Sequence, residues 1–156
     1  MKMWRSLLAG VAVAGPFAMG MAAGGAGAAP GEPLPRTVHE VSELTSFTSP
    51  SGNIGCYIDT DYVRCDIKER DWAPPPKPAS CPDYTDWGQG LQLEAGKPAE
   101  VVCAGDTALT SGNPLAFGDT IVAGSIECTS APMGISCRDV QHGGEFSLSR
   151  QAYHLA

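Results

Sequence analysis

The sequence predicts a mainly β fold: a small disulfide-stapled curved sheet or barrel with two related β-hairpins and short terminal helical turns. Three observations lead there. The frame G-[NS]-I-x-C-x8-C is written at residues 52–65 and again at residues 124–137. Apolar and polar residues alternate through the first copy with the period of two that a half-buried strand requires. Further short apolar runs are bounded by Gly, Pro and Asp, the residues that end strands in turns.

Residues 1–28 read as a secretory signal peptide, because Lys2 and Arg5 precede an apolar run from Leu7 to about Ala23 and small residues end it at Ala26-Gly27-Ala28. Pro16 and the glycines in that run weaken it as a spanning helix, so the mature chain is expected to hold no stable membrane span. Residues 29–46 form a Pro-rich tether that ends in a short helix: Thr37 and Glu40 have capping-box spacing, and Val38, Val41 and Leu44 share a helical stripe. Residues 47–156 are then a single disulfide-stapled β domain.

The first hairpin follows from parity. A two-residue turn at Thr60-Asp61 sets Asp59 against Tyr62, Ile58 against Val63, Cys56 against Cys65 and Ile54 against Ile67. The same register puts Ile54, Cys56, Ile58, Val63, Cys65 and Ile67 on one face. Gly55, Tyr57, Asp59, Tyr62, Arg64 and Asp66 fall on the other, polar face. A slip of one residue would separate the cysteines and mix both sets. Directly opposed side chains approach the separation a disulfide needs, which pairs Cys56 with Cys65.

In the second copy Ala131-Pro132-Met133-Gly134 predicts a type I turn with a glycine bulge, so Cys128 and Cys137 would pair across a shifted register. Elimination joins Cys81 to Cys103. On the chain-entropy model each short loop contributes on the order of 2.5 to 3 kcal/mol and the longer one about 3.5 kcal/mol. Two explanations fit the repeated frame: duplication, or convergence of two stapled hairpins on one spacing.

Between the hairpins, residues 72–78 (WAPPPKP) form a stiff surface crossing, since proline gives no ladder hydrogen bond. Residues 91–94 and 99–103 flank Ala95-Gly96-Lys97-Pro98 as strand, turn and strand. Residues 121–127 and 145–148 add strands, and residues 150–155 are expected to make a helical turn.

Composition excludes several function classes. Removal of Lys2 and Arg5 from the ten basic residues leaves eight against 17 acidic ones. Such a surface repels phosphate backbones and anionic lipid, so no nucleic-acid partner is expected. Six cysteines in an exported chain imply an oxidising compartment, the medium or the extracytoplasmic cell envelope.

Chemistry is sparse. Phe117-Gly118-Asp119-Thr120-Ile121 looks like the G-D-S-[LI] block of SGNH esterases, and Asp139-Val140-Gln141-His142 supplies a D-x-x-H. The nucleophile position holds Thr120 instead of Ser, and only twenty residues with a stapled hairpin separate the blocks, where an α/β hydrolase needs helices and parallel strands. No C-x2-C occurs, and His39, His142 and His154 have no helical ligand spacing. No metal and no cofactor is therefore expected. Asp59, Asp61, Asp66, Glu69 and Asp71 read as a solvated acidic face. Trp72, Tyr84 and Trp87 lie among prolines and glycines, where exposed aromatics would suit a sugar ring or a peptide.

The blocks F-T-S-P-S-G-N-I-G-C, V-R-C-D-I, W-A-P-P-P, C-P, D-W-G-Q-G, C-A-G-D-T, F-G-D-T, G-x-I-x-C-T-S, G-I-S-C and F-S-L-S-R fix all six cysteines along about residues 47–153. In them the chain resembles a family of small exported actinobacterial proteins of unknown function. The resemblance implies a secreted or cell-envelope location and no particular activity. That family favours G-H-G-F near its end, where this chain has His142-Gly143-Gly144-Glu145-Phe146. The expectation is thus a non-enzymatic binding or structural module whose partner, a protein or a glycan, meets Trp72, Tyr84 and Trp87. The alternatives are an envelope hydrolase using Asp119 and His142, and a secreted protease inhibitor.

Overall fold

The structure, a computed structural model, describes residues 36–109 and 111–156. The expected signal peptide and most of the Pro-rich segment lie outside these residues. The described chain is all β, with twelve strands: β1 (Val38–Glu40), β2 (Thr45–Thr48), β3 (Ile54–Asp59), β4 (Tyr62–Ile67), β5 (Trp87–Glu94), β6 (Glu100–Cys103), β7 (Asn113–Pro114), β8 (Thr120–Ala123), β9 (Ile126–Ala131), β10 (Gly134–Asp139), β11 (Glu145–Leu148) and β12 (Tyr153–Leu155). They form two mixed six-stranded sheets that do not close into a barrel. The first has order β6-β5-β4-β3-β2-β7 and the second β1-β8-β9-β10-β11-β12.

Both repeated frames form central hairpins. The first takes the parity register, with Cys56 opposite Cys65 and Ile54 opposite Ile67. The second differs from expectation, because Pro132-Met133 makes a two-residue turn and no bulge intervenes. Ala131 faces Gly134 and Cys128 stands squarely opposite Cys137. Gly134 takes up the turn geometry at φ 136°, where a Cβ would lie 2.1 Å from the Leu148 carbonyl oxygen. Residues 121–127 are likewise a tight hairpin and not one strand, since Gly124 at φ 57° turns β8 back onto β9.

Inward residues of both sheets share one core. Ile54, Ile58, Val63 and Leu91 of the first sheet are buried with Ile121, Ile126, Ile135 and Phe146 of the second. Each such side chain contributes about 1.5–3 kcal/mol when fully buried. The Cys56–Cys65 and Cys128–Cys137 disulfides lie in this layer, both with Cα atoms 4.1 Å apart. Cys81–Cys103 ties the loop before β5 to the edge strand β6.

The two sheets repeat one plan in every pairing. Each has a central stapled hairpin (β3–β4, β9–β10), a strand before it (β2, β8), two after it (β5–β6, β11–β12), and a short parallel strand at the edge. Phe47 faces Cys56 as Ile121 faces Cys128, and Leu91 faces Val101 as Phe146 faces Leu155. The parallel edge strands are exchanged. β1 opens the first half yet pairs with β8, and β7 opens the second half yet pairs with β2. Here too the registers agree, with His39 beside Ile121 and Asn113 beside Phe47. The Val41 N–H donates to the Val122 carbonyl oxygen at 2.9 Å, and Leu115 N–H to that of Thr48 at 2.9 Å.

Neither terminal helical turn forms. Thr37 N–H donates to Asp119 Oδ1 instead of closing a capping box, and strand pairing to β8 takes Val38–Glu40. At the other end Glu145 and Ala156 exchange both backbone hydrogen bonds, which draws Tyr153–Leu155 onto β11. A helix at either place would leave an edge of the second sheet unpaired.

Candidate functional site

The equivalence of the two halves makes their outer faces comparable residue by residue, and the chain treats them oppositely. On the first sheet Arg64 and Asp66, expected on a solvated face, are 2% and 0% exposed. Residues 104–109 cross over them. Arg64 Nε and Nη2 donate to the two Asp66 carboxylate oxygens at 2.9 and 2.8 Å, and Nη1 donates to Asp106 Oδ1 at 2.7 Å. Ala108 N–H donates to Asp66 Oδ2 at 2.8 Å. Gly55 makes room, since a Cβ there would lie 2.6 Å from the Ala108 carbonyl oxygen.

Charge and burial oppose each other in this network. Burial alone would lower the Arg64 pKa, but the hydrogen bonds it donates to Asp66 and Asp106 hold it above its usual value. Asp106 is lowered by its hydrogen bond to Arg64. Burial, then the neighbouring Tyr57, raises the Tyr62 hydroxyl well above its ordinary pKa. An ion pair this deep, sealed by the chain's own segment, fixes the position of that segment.

On the second sheet no described segment crosses the equivalent face. Register aligns Thr120, Thr129, Ser136, Ser147 and His154 in one lateral row across five strands. The neighbouring row holds Glu127, Arg138 and Glu145. The Thr120 and Thr129 hydroxyls are 2.9 Å apart, and Arg138 Nε donates to Glu127 Oε1 at 2.6 Å. Period-two alternation explains the face, for Glu127, Thr129, Ser136, Arg138, Glu145 and Ser147 flank inward Cys128, Cys137 or Phe146, Thr120 adjoins inward Ile121, and His154 adjoins Leu155.

These rows line a cavity of about 480 Å³. A second hollow of about 250 Å³ shares Ser136, Ser147 and His154 with it and adds Met133 and Tyr153. Together they make an outward groove across β9–β12. Tyr153 meets its rim from the other face of the sheet, because it is paired with buried Leu148 and packs against the core, its ring centroid 4.6 Å from that of Trp72, whose ring lies 4.5 Å from the Arg70 guanidinium. Trp72 Nε1–H donates to the Ser149 carbonyl oxygen at 2.9 Å.

The three aromatic residues singled out from sequence have different surroundings. Trp72 backs Tyr153, Trp87 donates its Nε1–H to the Pro75 carbonyl oxygen at 2.8 Å, and Tyr84 is 91% exposed in the loop that Cys81–Cys103 closes. Among the described residues, the aromatic pairs are Trp72–Tyr153 and Tyr57–Tyr62.

The esterase-like residues are separately engaged. Asp119 accepts from Thr37 N–H and lies 3.1 Å from His39 Nε2, contacts that lower its pKa, while the Thr120 hydroxyl meets Thr129. His142 Nδ1 is 2.8 Å from Asp139 Oδ2, and the hollow at His142 is lined by Gly96, Lys97, Pro98, Gly143, Gly144 and Ala156, without a hydroxyl. Burial alone would raise the Asp139 pKa. Backbone N–H groups of Gly96 and Gln141, then His142, hold it far below the usual carboxylate range. Asp139 thereby clamps the β5–β6 turn to the β10–β11 turn.

Carboxylates around the first hairpin also disperse. Asp66 is in the buried network, Asp59 accepts from Thr60 N–H, and Glu69 and Asp71 meet Arg150. Among the described residues no group of three or more His, Cys, Asp or Glu is placed to hold a metal ion. No described helix is long and apolar enough to cross a membrane.

A family model described as a family of unknown function (DUF6636) matches residues 34–155. Neither the curated proteins nor the solved structures contain a match to the chain.

Proposed function

We propose that this chain, which belongs to the DUF6636 family of unknown function, is a non-catalytic binding module of the medium or cell envelope, and that the open groove on its second sheet is its binding face. The observation that carries the reading is the contrast between two equivalent faces. One is sealed by residues 104–109 over a buried ion pair, and the other is left open with hydroxyls and charges facing outward.

Three disulfides point to an oxidising, extracytoplasmic environment. The signal-peptide order of residues 1–28, and the resemblance to exported actinobacterial proteins, support secretion from such a cell and removal of that segment. A net charge of -7 disfavours nucleic acid and anionic lipid as partners. In this reading Trp72 and Tyr153 brace the sheet from its core side, and Tyr84 and Trp87 lie apart from the primary contact.

A photo-crosslinking residue in place of Ser147, in the exported protein in its own cells, tests the face. Adducts are expected there and not when the same residue replaces Thr60, at the tip of the first hairpin. Equal yields at both positions would overturn the assignment.

A further inference from the structure

Resting on the reading of the groove as a binding face, we infer that its ligand is an uncharged glycan, bound as an extended oligosaccharide across β9–β12. The groove lies on the face of the sheet, where each strand from β8 to β11 is already paired on both sides. An added peptide strand has no free backbone ladder to join there, so recognition falls to side chains.

Those side chains suit polyols. A serine or threonine hydroxyl both donates and accepts, as a sugar hydroxyl does. Strands lie about 4.8 Å apart, so the row Thr129, Ser136, Ser147 and His154 offers such a group at intervals close to the width of one pyranose ring. Glu145 is exposed, and its carboxylate makes no hydrogen bond or ion pair among the described residues. Two carboxylate oxygens accept from two adjacent hydroxyls in stronger, charge-assisted bonds.

Charge selects among glycans. Arg138 is taken by Glu127, leaving no free arginine or lysine lining the groove, and the chain is acidic overall. Uronates, phosphates and other anionic sugars are repelled.

The test titrates the exported full chain, with its disulfides formed and its amides 15N-labelled, with neutral hexasaccharides: the β-1,4-glucan, α-1,4-glucan, β-1,4-xylan and α-1,6-mannan oligomers. A uronate oligomer and an unstructured peptide serve as comparisons. At least one neutral oligomer is expected to shift amides of β9–β12. Glu145→Gln should weaken it about tenfold, and loss of the Ser147 hydroxyl in Ser147→Ala by a smaller factor. Glu145 is exposed, so its conservative variant retains the fold. Binding only by the peptide or the uronate at the same amides, or by nothing in the panel, would overturn the glycan assignment and leave the face to the crosslinking result. Saccharide shifts centred on Tyr84 and Trp87 instead would overturn both.

Discussion

Ser130 has a fully buried hydroxyl with no hydrogen-bond partner, at the position where the other half carries Ile58. An unpaired buried hydroxyl is a cost that an apolar side chain avoids. Ser130→Ala should therefore raise the thermal midpoint, by the equivalent of about 1 kcal/mol. Asp66 is the opposite case, because its removal takes away the buried carboxylate of Arg64 and leaves the guanidinium only Asp106, at the exposed end. Asp66→Ala should cost about 3–5 kcal/mol, measured by denaturant unfolding. Replacement of both by apolar residues of similar volume should cost much less, since no unpaired charge remains buried.

Among the elements, the clamp at Asp139 and the crossing of residues 104–109 give separate predictions. The folded-state pKa of Asp139 is depressed, so its contribution is fully present above the unfolded-chain value of about 3.9 and is lost as pH falls from there through the native value. Asp139→Asn should be less stable than the wild type at pH 7, and the gap should narrow below about pH 4, read from denaturant midpoints at each pH. Gly55→Val would push against the Ala108 carbonyl and the Leu109 Cα. The crossing should then lift, and limited proteolysis within residues 104–109 should speed up while the disulfide-stapled sheets persist.

The elements also differ in how plainly the sequence announces them. The first hairpin was legible because cysteine spacing and alternation fix the same register. The second was legible in its strands but not its turn, where Gly134 accommodates a tight reversal that Ala-Pro-Met-Gly does not advertise. The edge strands β1 and β7 are three and two residues long and pair with partners far along the chain. So short a segment has no readable period, and Val38, Val41 and Leu44 mimicked a helical stripe. The groove was half legible: Glu127, Thr129, Ser136 and Arg138 must face outward if Cys128 and Cys137 face in. The registers of β11 and β12, which add Glu145, Ser147 and His154, have no local signal. Trp72 was noticed, but its packing on Tyr153 depends on contact across 81 positions of chain.

For the whole molecule, matching registers in all five pairings of each sheet favour duplication over convergence of two hairpins. Exchange of β1 and β7 ties each half to the other, so neither sheet is complete from its own half. The halves then diverged on their outer faces. Glycine at 55 lets the chain cross the first sheet and glycine at 90 makes room for Asp66, whereas the equivalent positions on the second hold Glu127 and Glu145. Hydroxyl-radical footprinting of the intact protein, with and without the envelope fraction of its own cells, tests most directly which surface is used. Met133, at 74% exposure, and His154 report on the groove, and Tyr84 reports on the distant loop. The account predicts that the first two are protected and Tyr84 is not. Protection of Tyr84 and Trp87, with Met133 and His154 unchanged, would contradict it.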